Sequence, residues 1–174
     1  GYLGSDETDD RASPILFVYD ARTKWVDAHV LPCKGTGHPW RCKVLARDVV
    51  EAGLASLVFK SDQEPALLDL KRAVRAELAR QGTTVLMEGS PVGSSQSNGA
   101  IEVQVKEVKG MVRTLKHAFE ESHGIVVEPN SPILAWMVEH AAAVLNRGIR
   151  GANGRTAWEL RKGKPYRKRL VPFG

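Results

Sequence analysis

Ile101, Val105, Val108, Val112, Leu115 and Phe119 recur along the chain at steps of four, three, four, three and four residues. At 3.6 residues per turn, those steps place six apolar side chains along one line of a helix. Residues 99–122 are therefore predicted to form one long helix with a single buried face. Such a helix cannot cover its own seam, so the remaining segments must provide a complementary layer.

They have the pattern to do so. Residues 14–19 (PILFVY) and 24–31 (KWVDAHVL) are β-rich runs joined by a polar turn, Asp20-Ala-Arg-Thr23, and read as a hairpin. A helix is predicted over 40–52, with Leu45, Val49 and Ala52 inward and Gly53 as its stop. A short strand, 57–61, ends at Asp62. A helix then runs to about Arg80 with Leu67, Leu70, Val74 and Leu78 inward, and a strand follows at 83–87. Residues 89–99 (GSPVGSSQSNG) are too polar for core and read as a loop. Pro132 opens a helix to about Asn146 that buries Ile133, Trp136, Met137, Val144 and either His140 or Ala141. One helical turn near Thr156–Leu160 completes the order β-β-α-β-α-β-α-α, which indicates an α/β domain on a mixed sheet. At 174 residues the chain suits one such domain rather than two.

Charge narrows the class. The net charge of +5 is unevenly spread: Asp6, Glu7, Asp9 and Asp10 crowd the first ten residues, whereas residues 161–169 (RKGKPYRKR) hold six bases and no acid. The latter read as a basic tail beyond the core, either a solvated end or a contact for a polyanion. Cys33 and Cys42 lack the spacing of a zinc site or a disulfide scaffold and are expected to be reduced. The five histidines show no metal-ligand spacing, and no apolar run is long enough to span a membrane, so an intracellular protein with no membrane partner is expected.

Two acids stand out. Asp62 closes a short apolar strand, where a carboxylate is costly without a cation, and Glu102 lies in the first turn of the predicted long helix. Carboxylates converging from a strand end and a helix start suit a two-metal phosphoryl-transfer site. The same pair also fits a plain structure, with Asp62 starting a turn and Glu102 favoured by the helix dipole. On the long helix Lys106, Lys109, Arg113 and Lys116 follow Glu102 at steps of four, three, four and three. One face thus carries an acid and then four cations, either a phosphate-binding track or a solvated polar face.

Several segments resemble retroviral and retrotransposon integrases. Ser95-Gln-Ser-Asn-Gly-Ala-Ile-Glu102, followed by Lys106 and Lys109, is similar to the loop and helix carrying that family's catalytic Glu. Leu16-Phe-Val-Tyr-Asp-Ala-Arg-Thr-Lys-Trp25 resembles its second strand, turn and third strand, and Phe59-Lys-Ser-Asp62 the strand with its second catalytic Asp. Asn146-Arg147, Gly154-Arg-Thr156 and Trp158-Glu-Leu-Arg-Lys-Gly163 resemble the closing motif of retrotransposon cores. The matching segments run in order from about residue 14 to 164.

The resemblance implies an RNase H-like α/β fold, a mixed sheet flanked by helices with its first strand truncated. Residues 1–160 would form the catalytic core, and 161–174 a basic tail leading to a further C-terminal domain. It implies an Asp-Asp-Glu polynucleotidyl transferase that processes DNA 3′ ends and joins them to a target, encoded in a retrotransposon polyprotein and acting in the nucleus or the retrotransposon particle. Asp62 and Glu102 take the second and third catalytic places and would hold two Mg²⁺ or Mn²⁺ ions with a first Asp expected upstream of Gly1. Asp20 matches the turn between strands, not that first acid, so this chain alone is expected to be inactive. Asn98, Lys106, Lys109 and Arg113 would contact DNA, and a homodimer or higher oligomer is expected. The sequence departs from the family at Gln63-Glu64-Pro65, at Ser95 where a Pro is usual, and in lacking the N-terminal His/Cys zinc module. Alternative readings are an RNase H-like nuclease and a catalytically dead DNA-binding remnant.

Overall fold

The computed structural model describes residues 14–31, 39–61, 64–89, 95–129 and 131–174, with the backbone alone for Pro39 and residues 95–98. Its elements run β1 (Ile15–Asp20), β2 (Trp25–Val30), α1 (Pro39–Glu51), β3 (Ser56–Ser61), α2 (Pro65–Arg80), β4 (Thr84–Gly89), α3 (Ser95–His123), α4 (Pro132–Gly148) and α5 (Ala157–Lys162). The backbone divides into two compact units, Gly1–Pro32 with Ala100–Gly174, and Cys33–Gly99.

In the first unit β1 and β2 form the expected antiparallel hairpin, in register from Ile15↔Val30 to Asp20↔Trp25. Its turn closes through Lys24 N–H donating to the Asp20 carbonyl at 2.8 Å, with Lys24 in the left-handed region at φ 63°. One face of the hairpin packs on α3 and α4. Ile15, Val26 and Ala28 join Val108 and Val112 of α3 and Leu134, Met137, Val138, Ala141, Ala142 and Leu145 of α4 in one apolar core. Burying a side chain the size of Met137 or Val138 contributes about 1.5–3 kcal/mol.

The stripe of α4 corrects one expectation. Its buried residues follow steps of three and four from Leu134 to Leu145, which places Trp136 on nearly the opposite side of the helix, and that ring is 71% exposed. Of His140 and Ala141, Ala141 is the fully buried residue. Helix α5 begins with a capping box: Thr156 Oγ1 accepts from Glu159 N–H at 3.1 Å, and Glu159 Oε2 accepts from Thr156 N–H at 2.8 Å. It ends on Gly163 at φ 69°, a conformation other residues adopt at a cost.

In the second unit β3 and β4 pair in parallel, Ser56↔Thr84 to Ser61↔Gly89, joined by α2 as a parallel pair requires. Pro65 opens α2, where its missing N–H costs nothing, and Gly82 at φ 80° follows its end. Val74 and Leu78 of α2 are fully buried, and Val44, Leu45 and Val49 of α1 and Val85 of β4 are buried. Lys71 of α2 is buried and donates from Nζ to the Glu88 carbonyl of β4 at 3.0 Å, and burial holds its ammonium below the ordinary lysine value while Glu88 opposes that shift. The expectation of a truncated first strand falls on residues outside those described. Among the described residues the four strands form two two-stranded sheets, and no helix is long and apolar enough to cross a membrane.

Candidate functional site

Helix α3 carries most of the predicted site, and it starts earlier than the sequence suggests. Its first residue is Ser95, so residues 95–98 are helical rather than loop. Glu102 therefore sits two turns into the helix, not in its first turn. The helix dipole acts within the first turn, so it does not explain an acid there. Glu102, Lys106 and Arg113 are exposed and Lys109 is half-buried. These residues are offset by one position, about 100° around the axis, from the seam that buries Val108 and Val112. The acid and the cations thus share one solvent-facing side of a helix anchored by its other side.

The fourth cation behaves differently. Lys116 Nζ lies 3.5 Å from Glu120 Oε1, and that same oxygen accepts from Val127 N–H at 2.7 Å, tying the segment after α3 back onto the helix. Lys106, Lys109 and Arg113 form no ion pair among the described residues. Asp62 and the side chain of Asn98 lie outside the described residues. Among the described residues no three His, Cys, Asp or Glu side chains gather as a metal site.

Asp20 is occupied elsewhere. Its carboxylate accepts from Arg22 N–H at 2.9 Å and from Thr23 Oγ1 at 2.6 Å, pinning the hairpin turn. Burial works against its charge, but the hydrogen bonds from Thr23 and the backbone, with the Arg22 guanidinium, outweigh it and hold the carboxyl below its ordinary value. Cys42 on α1 is a free thiol. Burial, with Glu77 adding and Arg80 opposing, pushes it up, which makes it a poor nucleophile at neutral pH.

The closing motif proves to be a structural knot. Asn146 is 2% exposed and grips Val26 of β2, accepting from its N–H at 2.9 Å and donating to its carbonyl at 2.7 Å. The Arg147 guanidinium lies 5.2 Å from the Trp158 ring centre and 5.3 Å from that of Tyr166. Arg161 lies 4.3 Å over Trp25, with Asp27 Oδ2 3.8 Å from its Nη1. A polar Asn within the apolar stripe of α4 was a readable sign that something must pair with it. The stacking of Arg161 on Trp25, residues 136 positions apart, had no local sign.

By sequence the chain matches no protein-family model and no curated protein. By structure it is similar to the catalytic core domain of BIV integrase, with a TM-score of 0.55 and 16% identity over 86% of this chain and 85% of that one. It is also similar to a chain in the cryo-EM structure of the simian T-cell lymphotropic virus intasome in complex with the PP2A regulatory subunit B56 gamma. There the TM-score is 0.61 and the identity 16%, over 95% of this chain and 52% of that one. The α/β fold is that of a retroviral integrase catalytic core.

Proposed function

We propose that this chain is the core of a retrotransposon-type integrase that joins DNA 3′ ends to a target phosphodiester. The observation that carries the reading is the exposed face of α3, where Glu102 precedes three cations that no described acid neutralises, on a fold shared with integrase cores. Glu102 and Asp62 would hold divalent Mg²⁺ or Mn²⁺ together with a further Asp upstream of Gly1. The exposed carboxylate of Glu102, in no ion pair among the described residues, fits a ligand role. When bound, the metals supply charge that activates the attacking oxygen and stabilises the leaving one. Lys106, Lys109 and Arg113 hold phosphates and fix the strand along α3, and Asn98 approaches the terminal bases. The reaction needs no covalent enzyme intermediate, so positioning and charge carry the catalysis. DNA and further copies of the chain are the proposed partners, in the nucleus or the retrotransposon particle.

A labelled DNA end and a supercoiled target, supplied with Mn²⁺ to the protein extended upstream to include the proposed first Asp, separate the readings. Joined products support strand transfer. Shortened ends alone support an RNase H-like nuclease, and DNA binding with neither product a non-catalytic DNA-binding protein. A chain that neither binds nor alters DNA overturns all three.

A further inference from the structure

The chain's entire positive excess sits in one nine-residue stretch. Residues 161–169 hold six of its 25 bases and none of its 20 acids, so the remainder has 19 bases against 20 acids. Arg161 is not available to a partner, since its side chain is 7% exposed and lies over Trp25. Lys162, Lys164, Arg167, Lys168 and Arg169 are all exposed.

The stretch does not trail into solvent. Tyr166 meets Trp158 edge-on at 5.0 Å between ring centres, with the Arg147 guanidinium 5.3 Å from its own ring. Leu170 packs so closely on α4 that a Cβ added to Gly148 would lie 3.3 Å from its Cδ1. Phe173 sits edge-on against Phe119 of α3 at 5.8 Å and His140 of α4 at 5.5 Å. The ring contacts of Tyr166 and Phe173, with the half-exposed Leu170 against Gly148 between them, hold a strap across the first unit, and Arg167, Lys168 and Arg169 lie between the first two anchors. Ordering three long cations beside fixed anchors lowers the entropy lost when they grip a ligand.

We propose that this strap is a second nucleic-acid contact, in which Arg167, Lys168 and Arg169 hold backbone phosphates independently of the α3 track. A nucleic acid suits it better than a membrane, because the aromatic side chains that would insert into lipid, Tyr166 and Phe173, are turned into the protein. The strap contains none of the proposed metal-binding acids, so DNA binding, not joining, is the readout, and the integrase reading can fail without it.

The test is fluorescence anisotropy of the full chain with a labelled random-sequence duplex across a salt series. Each lost phosphate contact lowers the slope of log affinity against log salt by about 0.9, so R167A/K168A/R169A is expected to lower it by about 2.7. Between about 50 and 200 mM salt, the triple variant's affinity should then fall about 40-fold less than that of the unaltered chain. These three side chains are exposed, and the variant should keep its far-UV circular dichroism. Tyr166→Ala, which frees the strap but keeps every charge, should weaken binding several-fold at an unchanged slope, while Tyr166→Phe should bind normally. An unchanged slope in the triple variant overturns the proposal, as does a triple variant that loses binding to phosphatidylserine vesicles while DNA binding is untouched. Normal binding by Tyr166→Ala overturns the anchored strap in favour of a loose basic tail.

Discussion

Asn146 of α4 satisfies both backbone groups of Val26, accepting from the N–H at 2.9 Å and donating to the carbonyl at 2.7 Å, 120 residues apart in sequence. This side chain caps the edge of β2 that β1 does not cover and locks the hairpin to the helix beneath it. Asn146→Leu fits an apolar stripe by volume but leaves two buried backbone groups without partners. Each costs about 1–3 kcal/mol, so a loss of about 2–6 kcal/mol is expected in urea unfolding, with the midpoint lowered. Asn146→Asp should be destabilising too, because a carboxylate oxygen would then face the Val26 carbonyl.

Asp20 predicts a pH dependence of the hairpin. Its folded carboxyl titrates below its ordinary value of 3.8, so the unfolded chain binds the proton first as pH falls. The stabilisation is complete at pH values above 3.8 and disappears as pH drops through the lower folded value. Asp20→Asn should therefore be less stable than the unaltered chain at neutral pH, and the gap should close on acidification below 3.8. A gap of constant size from pH 7 to pH 2 would show that the Asp20 charge plays no part.

Much of this architecture is legible in local pattern. The steps of the α3 seam, the Pro65 and Pro132 helix starts, and the capping box at Thr156 and Glu159 each involve residues within a few positions of one another. The start of α3 was not legible, because Ser95-Gln-Ser-Asn-Gly is, apart from Gln96, made of poor helix formers that read as loop. The exposure of Trp136 was hidden by a different cause: α4 is apolar almost all round, so the period alone did not choose its buried side. Of the site, Glu102 and the cation row follow from spacing. That Glu120 neutralises Lys116 is a readable i,i+4 pair, whereas the capture of Val127 N–H by the same carboxylate, seven residues on, is not.

Arg161 stacks 4.3 Å over Trp25 and is almost wholly buried, and the same Trp25 donates from Nε1 to Asp27 Oδ1 at 2.8 Å. Lysine keeps the charge but not the planar group, so Arg161→Lys is not a conservative change at this position. It should lower stability by about 1–2 kcal/mol, the range of a desolvated cation–π contact. A double-mutant cycle with Trp25→Leu, read by thermal unfolding, isolates the pair. A coupling near zero would mean that the ring and the guanidinium are merely adjacent.

The α3 row predicts a graded electrostatic response. Lys106→Ala combined with Lys109→Ala should lower the salt slope of DNA binding by about 1.8, at about 0.9 per contact. Lys116→Ala should lower it little, since that ammonium is 3.5 Å from Glu120. Equal losses from Lys116 and Lys106 would show a diffuse field acting in place of a defined row.

Glu102 separates a structural acid from a ligand. It is exposed, lies beyond the first turn of α3, and forms no ion pair among the described residues, so Glu102→Gln should change stability by no more than about 0.5 kcal/mol. The isosteric amide removes the negative charge that a hard divalent cation requires. Isothermal titration with Mn²⁺ should therefore show binding to the unaltered chain that Glu102→Gln abolishes, while urea unfolding of the two coincides. Loss of stability without loss of metal binding would return Glu102 to the scaffold and leave α3 a phosphate track with no chemistry at its head.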